Sequence, residues 1–342
     1  MTLRQACATW LVLFALAVAA GPAVATDPFE RVGTHPLPIL EHPQGPRNFA
    51  MGWTGAADAS TPINVFYNPA NIAFLDRFHW NASFLDGTSD IDFFDFGVFG
   101  GREFPLSDGR SWYLAGSVRY SREDFEWEVS SPFLPDLGTI EYDAWALPLS
   151  IAAGLSIPHL DIGVGTTVKF AASESGDREL DATAYDIGAL ARTKIEPSES
   201  IDLDIAGGVS VVNLGEVTGG NFDYDLTDEY HWGVGVGLSG YRGDAPRTAA
   251  LWRLNGNLDF IDSDYDEDFA YGVEIGVFDT AFLRAGHRGD ELMNPGDYWG
   301  LGLAHRIKSV ALSADFAQSP ETISLTDDNR AECYSVSGSF EF

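Results

Sequence analysis

Carboxylates are the side chains whose type and spacing come nearest to forming a chemical site. The run 262–268, Asp-Ser-Asp-Tyr-Asp-Glu-Asp, begins like a calcium-binding loop. An EF-hand, however, requires Gly at its sixth position and Glu at its twelfth, where this run has Glu267 and Val273. We therefore predict solvated acidic loops, and an irregular calcium site in this run or in the stretch 223–228 stays open.

Sequence patterns typical of catalysis are missing. The chain has no G-x-S-x-G nucleophile elbow and no H-E-x-x-H zinc motif. The histidines lie without the spacing of metal ligands, at His35, His42, His79, His159, His231, His287 and His305. We expect a protein that is not an enzyme and that holds no metal or other cofactor.

The elements that position the charged residues are predicted to be β-strands. In 162–170, Ile, Val, Thr and Phe alternate with Gly, Thr and Lys169, and stretches such as 269–276 repeat the pattern. Successive strand residues face opposite sides, so a membrane barrel alternates lipid-facing with lumen-facing positions. The alternation predicts about fourteen antiparallel strands, at 78–85, 91–100, 111–121, 143–156, 161–171, 181–193, 200–213, 230–240, 247–260, 267–278, 280–288, 296–306, 308–317 and 332–342.

The residues on the less apolar face of these strands distinguish a membrane barrel from a soluble sandwich or propeller. A soluble strand turns polar and charged residues to water, whereas here that face is largely Gly, Ala and Ser with isolated charges. Aromatic residues lie near predicted strand ends, as an interfacial girdle requires: Trp80, Trp112, Tyr120, Trp145, Trp232, Trp252 and Trp299. We therefore predict a transmembrane barrel over residues 78–342.

The lengths of the connections predict how the barrel is oriented. Connections after even-numbered strands are mostly short, as at 158–160, 278–280 and 307–308, and we interpret them as periplasmic turns. Connections after odd-numbered strands are longer and acidic, and we interpret them as outer loops.

Several charged residues fall on the predicted lumenal face. They are Arg119, Lys169, Arg192, Arg253 and Glu274, together with Asp202, Asp204 and Asp259. Because opposite charges in a confined lumen compensate each other, we expect pairing across the barrel rather than contact with a ligand.

One strand breaks the alternating pattern, since Phe282 and Arg284 share a face and Arg284 is costly in lipid. Either Phe282 faces the lumen or a bulge shifts the register.

The beginning of the chain and its composition indicate a secreted protein. Arg4, the apolar stretch 10–20 and the small residues 23–25 predict a signal peptide over residues 1–25. Loss of Arg4 with the signal takes the formal charge from −31 to −32, which argues against nucleic acid as a partner. Cys333 is then the remaining cysteine, so we expect no disulfide within the chain.

Both ends of the predicted mature chain resemble known outer-membrane proteins. The last strand alternates and finishes with Phe340 and Phe342, which resembles the signal that barrel-assembly machinery recognises. The segment 50–73, with its box Asn68, Pro69 and Ala70, resembles the amino-terminal signature of FadL-like barrels, especially of their PorV/PorQ branch. Two later stretches, 283–288 and 312–317, resemble late-strand motifs of PorV-type proteins.

This resemblance implies a barrel in a bacterial outer membrane whose segment 26–77 folds inside as a plug. Alternating glycines would give that plug room, at Gly163, Gly165, Gly233, Gly235 and Gly237. The resemblance implies first a PorV-like role in type IX secretion, with a secreted protein as cargo. The alternative is a FadL-like plugged conduit for hydrophobic small molecules such as fatty acids. Outer-membrane lipid and the assembly machinery are expected partners in both cases.

Overall fold

A computed structural model describes ten stretches of the chain. They are residues 37–41, 45–86, 92–128, 139–176, 178–219, 224–242, 250–263, 267–289, 296–320 and 331–340. The predicted signal peptide and Phe342 lie outside these residues. No helix within them is long and apolar enough to cross a membrane.

Fourteen antiparallel strands form one closed sheet. Each strand pairs with its neighbours in the sequence, and β1 pairs with β14 to close the barrel. The strands are β1 (Phe78–Asp86), β2 (Asp92–Pro105), β3 (Ser111–Glu128), β4 (Thr139–Ile157), β5 (Leu160–Ser175), β6 (Arg178–Ser198), β7 (Ile201–Thr218), β8 (Glu229–Gly240), β9 (Trp252–Ser263), β10 (Glu267–Val277), β11 (Ala281–Arg288), β12 (Gly296–Ile307), β13 (Val310–Gln318) and β14 (Glu332–Phe340). The short ladder Tyr224–Asp225 also pairs with β7. The predicted all-β barrel is therefore confirmed.

The two faces of the sheet differ as the alternation predicts. Along β10, Tyr271, Val273 and Ile275 are exposed, whereas Ala270 and Glu274 are buried. Large exposed side chains on other strands share this outward direction, among them Ile151, Val164, Ile187, Leu283 and Leu301. Large apolar side chains thus lie on the outside of the barrel, which is the arrangement expected of a barrel surrounded by lipid.

The barrel has two distinct ends, which we name the turn end and the loop end. The turn end carries the start of β1, the end of β14 and tight turns such as 158–159, 278–280 and 308–309. Positive φ angles at His159 (70°) and Lys308 (54°) close two of these turns. The loop end carries the end of β1, the start of β2 and the start of β14.

One strand begins later than the sequence predicts. The sequence predicts a start at 247; residues 247–249 lie outside the described part of the chain, and β9 begins at Trp252. The residues just before it pair with the neighbouring turn instead: Ala250 N donates to Asp279 Oδ2 (2.8 Å), and Phe278 N donates to the Leu251 carbonyl (3.0 Å). Alternation alone does not reveal such a tertiary contact.

The register of β11 resolves the alternative left open for Arg284. Its pairing with β10 and β12 runs without interruption from Ala281 to Arg288, so no bulge shifts it. Phe282 and Arg284 therefore both face the lumen, where the Arg284 guanidinium carbon lies 5.4 Å from the centre of the Phe282 ring. This placement keeps the charge out of lipid.

A bulge does occur between β6 and β7. The register shifts between Tyr185 and Ile187, and Val212 and Asn213 both turn inward and are buried. Asn213 has φ 62°, a left-handed conformation that Asn tolerates better than most residues. The bulge thus adds one polar side chain to the lumen that strict alternation would place in lipid.

Candidate functional site in the barrel lumen

Residues 37–41 and 45–77, which we name the inner segment, lie in the lumen. The segment contains one helical turn, α1 (Pro46–Ala50), and three 3-10 turns, Pro38–Leu40, Pro62–Phe66 and Pro69–Ile72. Pro at the start of each turn suits a helix, because the first N–H groups have no intrahelical partner. Ala50, Met51, Thr54 and Asn64 of this segment are all fully buried.

Glycines of the barrel wall give the inner segment its room. A methyl group at Gly165 would lie 2.4 Å from the Pro69 carbonyl oxygen, and one at Gly208 would lie 1.9 Å from that of Ala56. Of the predicted wall glycines, Gly163, Gly165, Gly233 and Gly235 face the segment, whereas Gly237 faces Asn255 and Asp204 of the wall. The sequence reasoning missed further close contacts, at Gly188, Gly208, Gly272 and Gly286.

The Asn-Pro-Ala box fastens the inner segment to the wall. Asn68 Oδ1 accepts a hydrogen bond from Ala70 N (2.9 Å) and so caps the turn that Pro69 begins. Asn68 Nδ2 donates to the carbonyl of Ala56 (2.8 Å) and to that of Ala189 on β6 (3.0 Å). One side chain therefore links two parts of the segment to a strand.

Asp259 on β9 holds a second part of the inner segment. Its Oδ2 accepts hydrogen bonds from the backbone N–H groups of Gly55 (2.6 Å) and Ala56 (2.8 Å). Nearby, Ser210 Oγ on β7 donates to the Tyr67 carbonyl (2.5 Å). Together these bonds provide partners for backbone N–H and C=O groups, whose burial without a hydrogen bond would cost free energy.

A buried charge network forms the third attachment. Arg47 of the inner segment lies 2.9 Å from Glu274 of β10 and also contacts Asp58. Glu274 is shared with Arg284, whose Nε lies 2.7 Å from it. Burial raises the pKa of Asp58, but the charge of Arg47 and hydrogen bonds from Ser60 and Arg47 outweigh it, so this pKa lies below its usual value.

The charged residues predicted for the lumen do not converge on one point. Arg119 pairs with Asp95 (2.6 Å), Lys169 with Asp186 (2.9 Å), Arg192 with Asp161 (2.7 Å) and Arg253 with Asp279 (2.5 Å), while Glu274 joins the network above. Arg192 and Arg253 are partly exposed near the turn end, and the other three are buried. Each of these five charges thus has an opposite charge beside it, and Asp202 likewise lies 2.8 Å from Lys194. Asp259 instead accepts hydrogen bonds from the backbone N–H groups described above.

The bulge between β6 and β7 completes one of these pairs. Lys169 Nζ donates to Asn213 Oδ1 (2.8 Å), and Asn213 N donates to Asp186 Oδ1 (2.9 Å). Lys169 and Asp186 are both almost fully buried. The sequence reasoning missed Asp186 and Asn213, because no pattern in the sequence marks the bulge that brings Asn213 inward.

An apolar interior, which we name the loop-half compartment, lies near the loop end. Its walls include Leu85, Phe93, Tyr142, Leu226 and Tyr298. Leu37, Ile39 and Leu40 of the inner segment fill it, and each is at most 3 % exposed. The compartment therefore surrounds three of the chain's own apolar side chains with apolar walls. An apolar ligand in the same place would have similar surroundings.

Other predicted positions are less informative. The acidic runs proposed for calcium fall partly outside the described residues. Phe340 ends β14 on the outer face, with its ring 6.1 Å from that of Phe78. Its proposed reading by the assembly machinery stays a prediction.

Comparison with known proteins gives similarity of structure alone. No known protein family and no curated protein matches the chain. Among solved structures, the Pseudomonas putida toluene transporter TodX has a TM-score of 0.54 and 10 % identity, covering 90 % of this chain and 100 % of that chain. A TodX deletion mutant described as a monoaromatic hydrocarbon channel has a TM-score of 0.57 and 11 % identity, covering 88 % and 99 %. The Ralstonia pickettii toluene transporter TbuX has a TM-score of 0.50 and 12 % identity, covering 88 % and 98 %.

These similarities show the fold of the chain. It shares a closed antiparallel β-barrel with three structures that are described as toluene transporters or as a hydrocarbon channel. The PorV/PorQ branch that the sequence motifs favoured is not confirmed, because none of the three is a secretion protein by its description.

Proposed function

We propose that the barrel takes up lipophilic small molecules across an outer membrane, which is the alternative function in the sequence analysis. The observation that carries this proposal is the loop-half compartment, whose apolar walls enclose three apolar side chains of the inner segment. An apolar molecule that replaced them would gain comparable burial, at about 25 cal/mol for each Å² removed from water. None of the three similar structures is described as a secretion protein, so the secretion role is the weaker of the two.

The attachments of the inner segment support movement at one place. Arg47, Asn68 and the backbone of Gly55 hold residues 45–71 by charges and hydrogen bonds to the wall. Among the described residues, 37–40 make no hydrogen bond to the wall and are held there by apolar packing. Displacing 37–40 therefore breaks contacts that an apolar ligand can replace, whereas displacing 45–71 breaks contacts that it cannot.

Residues 37–40 and an apolar ligand would compete for the same compartment. We therefore expect that weakening the apolar packing of these residues strengthens ligand binding. In the double variant Ile39→Ser and Leu40→Ser, the inner segment loses apolar burial, so less free energy opposes its displacement. The affinity for toluene should rise at least about tenfold, since each side chain contributes roughly 1.5–3 kcal/mol when buried. Equilibrium binding of radiolabelled toluene to the barrel in nanodiscs, corrected for empty nanodiscs, measures this effect.

The matched control changes the wall and not the competitor. Leu85→Ser and Phe93→Ser together remove apolar lining, so this variant should bind toluene more weakly than the wild type. Opposite shifts in the two variants identify the compartment as the ligand site. If both variants bind toluene as the wild type does, ligand binding in this compartment is ruled out.

A further inference from the structure

A small cavity, which we name the polar cavity, lies next to two of the side chains that an apolar ligand would replace. Ile39 and Leu40 of the inner segment line it, together with Phe66. Its other walls include polar side chains of β3 to β6, namely Arg119, Ser121, Ser150, Thr167, Lys169 and Asp186. The polar cavity therefore connects the apolar surroundings of residues 37–40 with a group of buried polar side chains.

The strand register places these polar side chains deeper in the barrel than the walls of the loop-half compartment. Phe93 of β2 lies opposite Glu123 of β3, whereas Arg119 lies opposite Gly97, further along β2 from the loop end. A ligand in the compartment would therefore have apolar walls along its sides and the polar cavity at its inner end.

Asp186 supplies a hydrogen-bond acceptor to the polar cavity. Its Oδ1 lies 2.9 Å from Lys169 Nζ and accepts a hydrogen bond from Asn213 N (2.9 Å). Its Oδ2 is fully buried and has no hydrogen-bond partner among the described residues. Because a buried acceptor without a partner costs free energy, a donor that reached this oxygen would remove that cost.

The size and charge of the polar cavity limit which group can reach Asp186. Its volume of about 10 Å³ is close to the smallest space that holds one water-sized group. A single hydroxyl group fits this space, whereas the two oxygens of a carboxylate do not. Both cations in its walls already have a carboxylate beside them, so the carboxylate of a ligand would be buried without a counter-charge.

We propose that the compartment selects apolar molecules that carry one hydroxyl group, and that this hydroxyl occupies the polar cavity. The hydroxyl donates to Asp186 Oδ2, and its oxygen accepts from one of the paired hydroxyls of Ser150 and Thr167, which are 2.9 Å apart. The apolar part of the molecule replaces residues 37–40. This inference rests on the proposed function, because a ligand must first displace those residues.

Three compounds with the same apolar skeleton test this selectivity. Toluene, p-cresol and p-toluate carry a hydrogen, a hydroxyl and a carboxylate at the same position of the ring, and a phenol is neutral at about pH 7. Equilibrium binding of each radiolabelled compound to the barrel in nanodiscs is corrected for empty nanodiscs. The wild type should bind p-cresol at least about tenfold more tightly than p-toluate. Equal binding of these two compounds would overturn the inference.

Two variants remove the proposed hydroxyl site in different ways. Lys169→Met and Asp186→Leu together remove the acceptor and leave no unpaired charge. The ratio of the p-cresol affinity to the toluene affinity should fall at least about tenfold, the usual effect of losing one hydrogen bond to a charged group. Ala146→Val keeps every charge and fills the polar cavity with methyl groups, so it should lower the same ratio even if the double variant does not fold.

The matched control is Arg192→Met and Asp161→Leu, which removes an opposite pair of charges near the turn end and should keep the wild-type ratio. An unchanged ratio in either folded test variant, or an equal fall in the control, would overturn the inference. The proposed function would still stand if toluene binding depends on Leu85 and Phe93. A wild-type barrel that binds neither toluene nor p-cresol would instead contradict the proposed function.

Discussion

Replacing Gly208 with Leu should expel the inner segment from its place while the barrel itself still assembles. The new Cβ would lie 1.9 Å from the Ala56 carbonyl oxygen and 3.0 Å from the Ala57 Cα, and backbone atoms cannot rotate away as a side chain can. Residues 55–57 must therefore leave the wall, which also breaks their hydrogen bonds to Asp259. We expect cleavage of the segment by added protease to rise at least about tenfold, since a displaced segment is exposed.

The matched control for this variant is Gly256→Leu. Gly256 lies on β9 at an outward-facing position, and the nearest atom to an added Cβ is 3.9 Å away. This variant should assemble and resist protease as the wild type does. Equal protection of the segment in both variants would mean that the contact between Gly208 and Ala56 does not hold it in the lumen.

Lys169→Met should lower the free energy of unfolding by about 3–5 kcal/mol, the usual result of removing one partner of a buried ion pair. Lys169 and Asp186 are 2.9 Å apart and at most 2 % exposed, so the variant leaves a carboxylate without its counter-charge. Asn213 N still donates to Asp186, but one neutral donor replaces little of a full charge. Urea unfolding of the barrel in vesicles, followed by tryptophan fluorescence, measures the loss.

The double variant Lys169→Met and Asp186→Leu separates the charge effect from the change in packing. Removing both charges leaves no buried ion, so this variant should recover at least half of the loss. If Lys169→Met alone costs less than about 1 kcal/mol, water or another group shares the charge, and the pair does not stabilise the barrel.

The strands were predictable from sequence because each one alternates on its own. In β10, Phe269, Tyr271 and Val273 alternate with small or charged residues, and a closed sheet turns that period of two into lipid-facing and lumen-facing positions. Exceptions arise where a tertiary contact decides. The bulge at Asn213 and the late start of β9 at Trp252 depend on neighbouring strands and turns, which no local pattern reveals.

The attachments of the inner segment were only partly predictable. Alternating glycines such as Gly165 indicated a wall with room, because a strand interior gains nothing else from repeated Gly. The network of Arg47, Asp58 and Glu274 joins residues up to 227 positions apart in the chain. Such pairing depends on the closed topology of the barrel and on the place where the segment enters the lumen. Neither can be predicted from the residue types.

Uptake by intact cells is the most direct test of the proposed entry of lipophilic molecules through the barrel. Cells displaying the wild-type barrel are given radiolabelled toluene or radiolabelled sucrose, and initial rates are compared with those of cells lacking the protein. We expect a severalfold higher rate for toluene and an unchanged rate for sucrose, because an apolar ligand replaces residues 37–40 while the charged attachments keep the lumen closed to polar solutes. An unchanged toluene rate, or an equal rise for sucrose, would contradict uptake through this compartment.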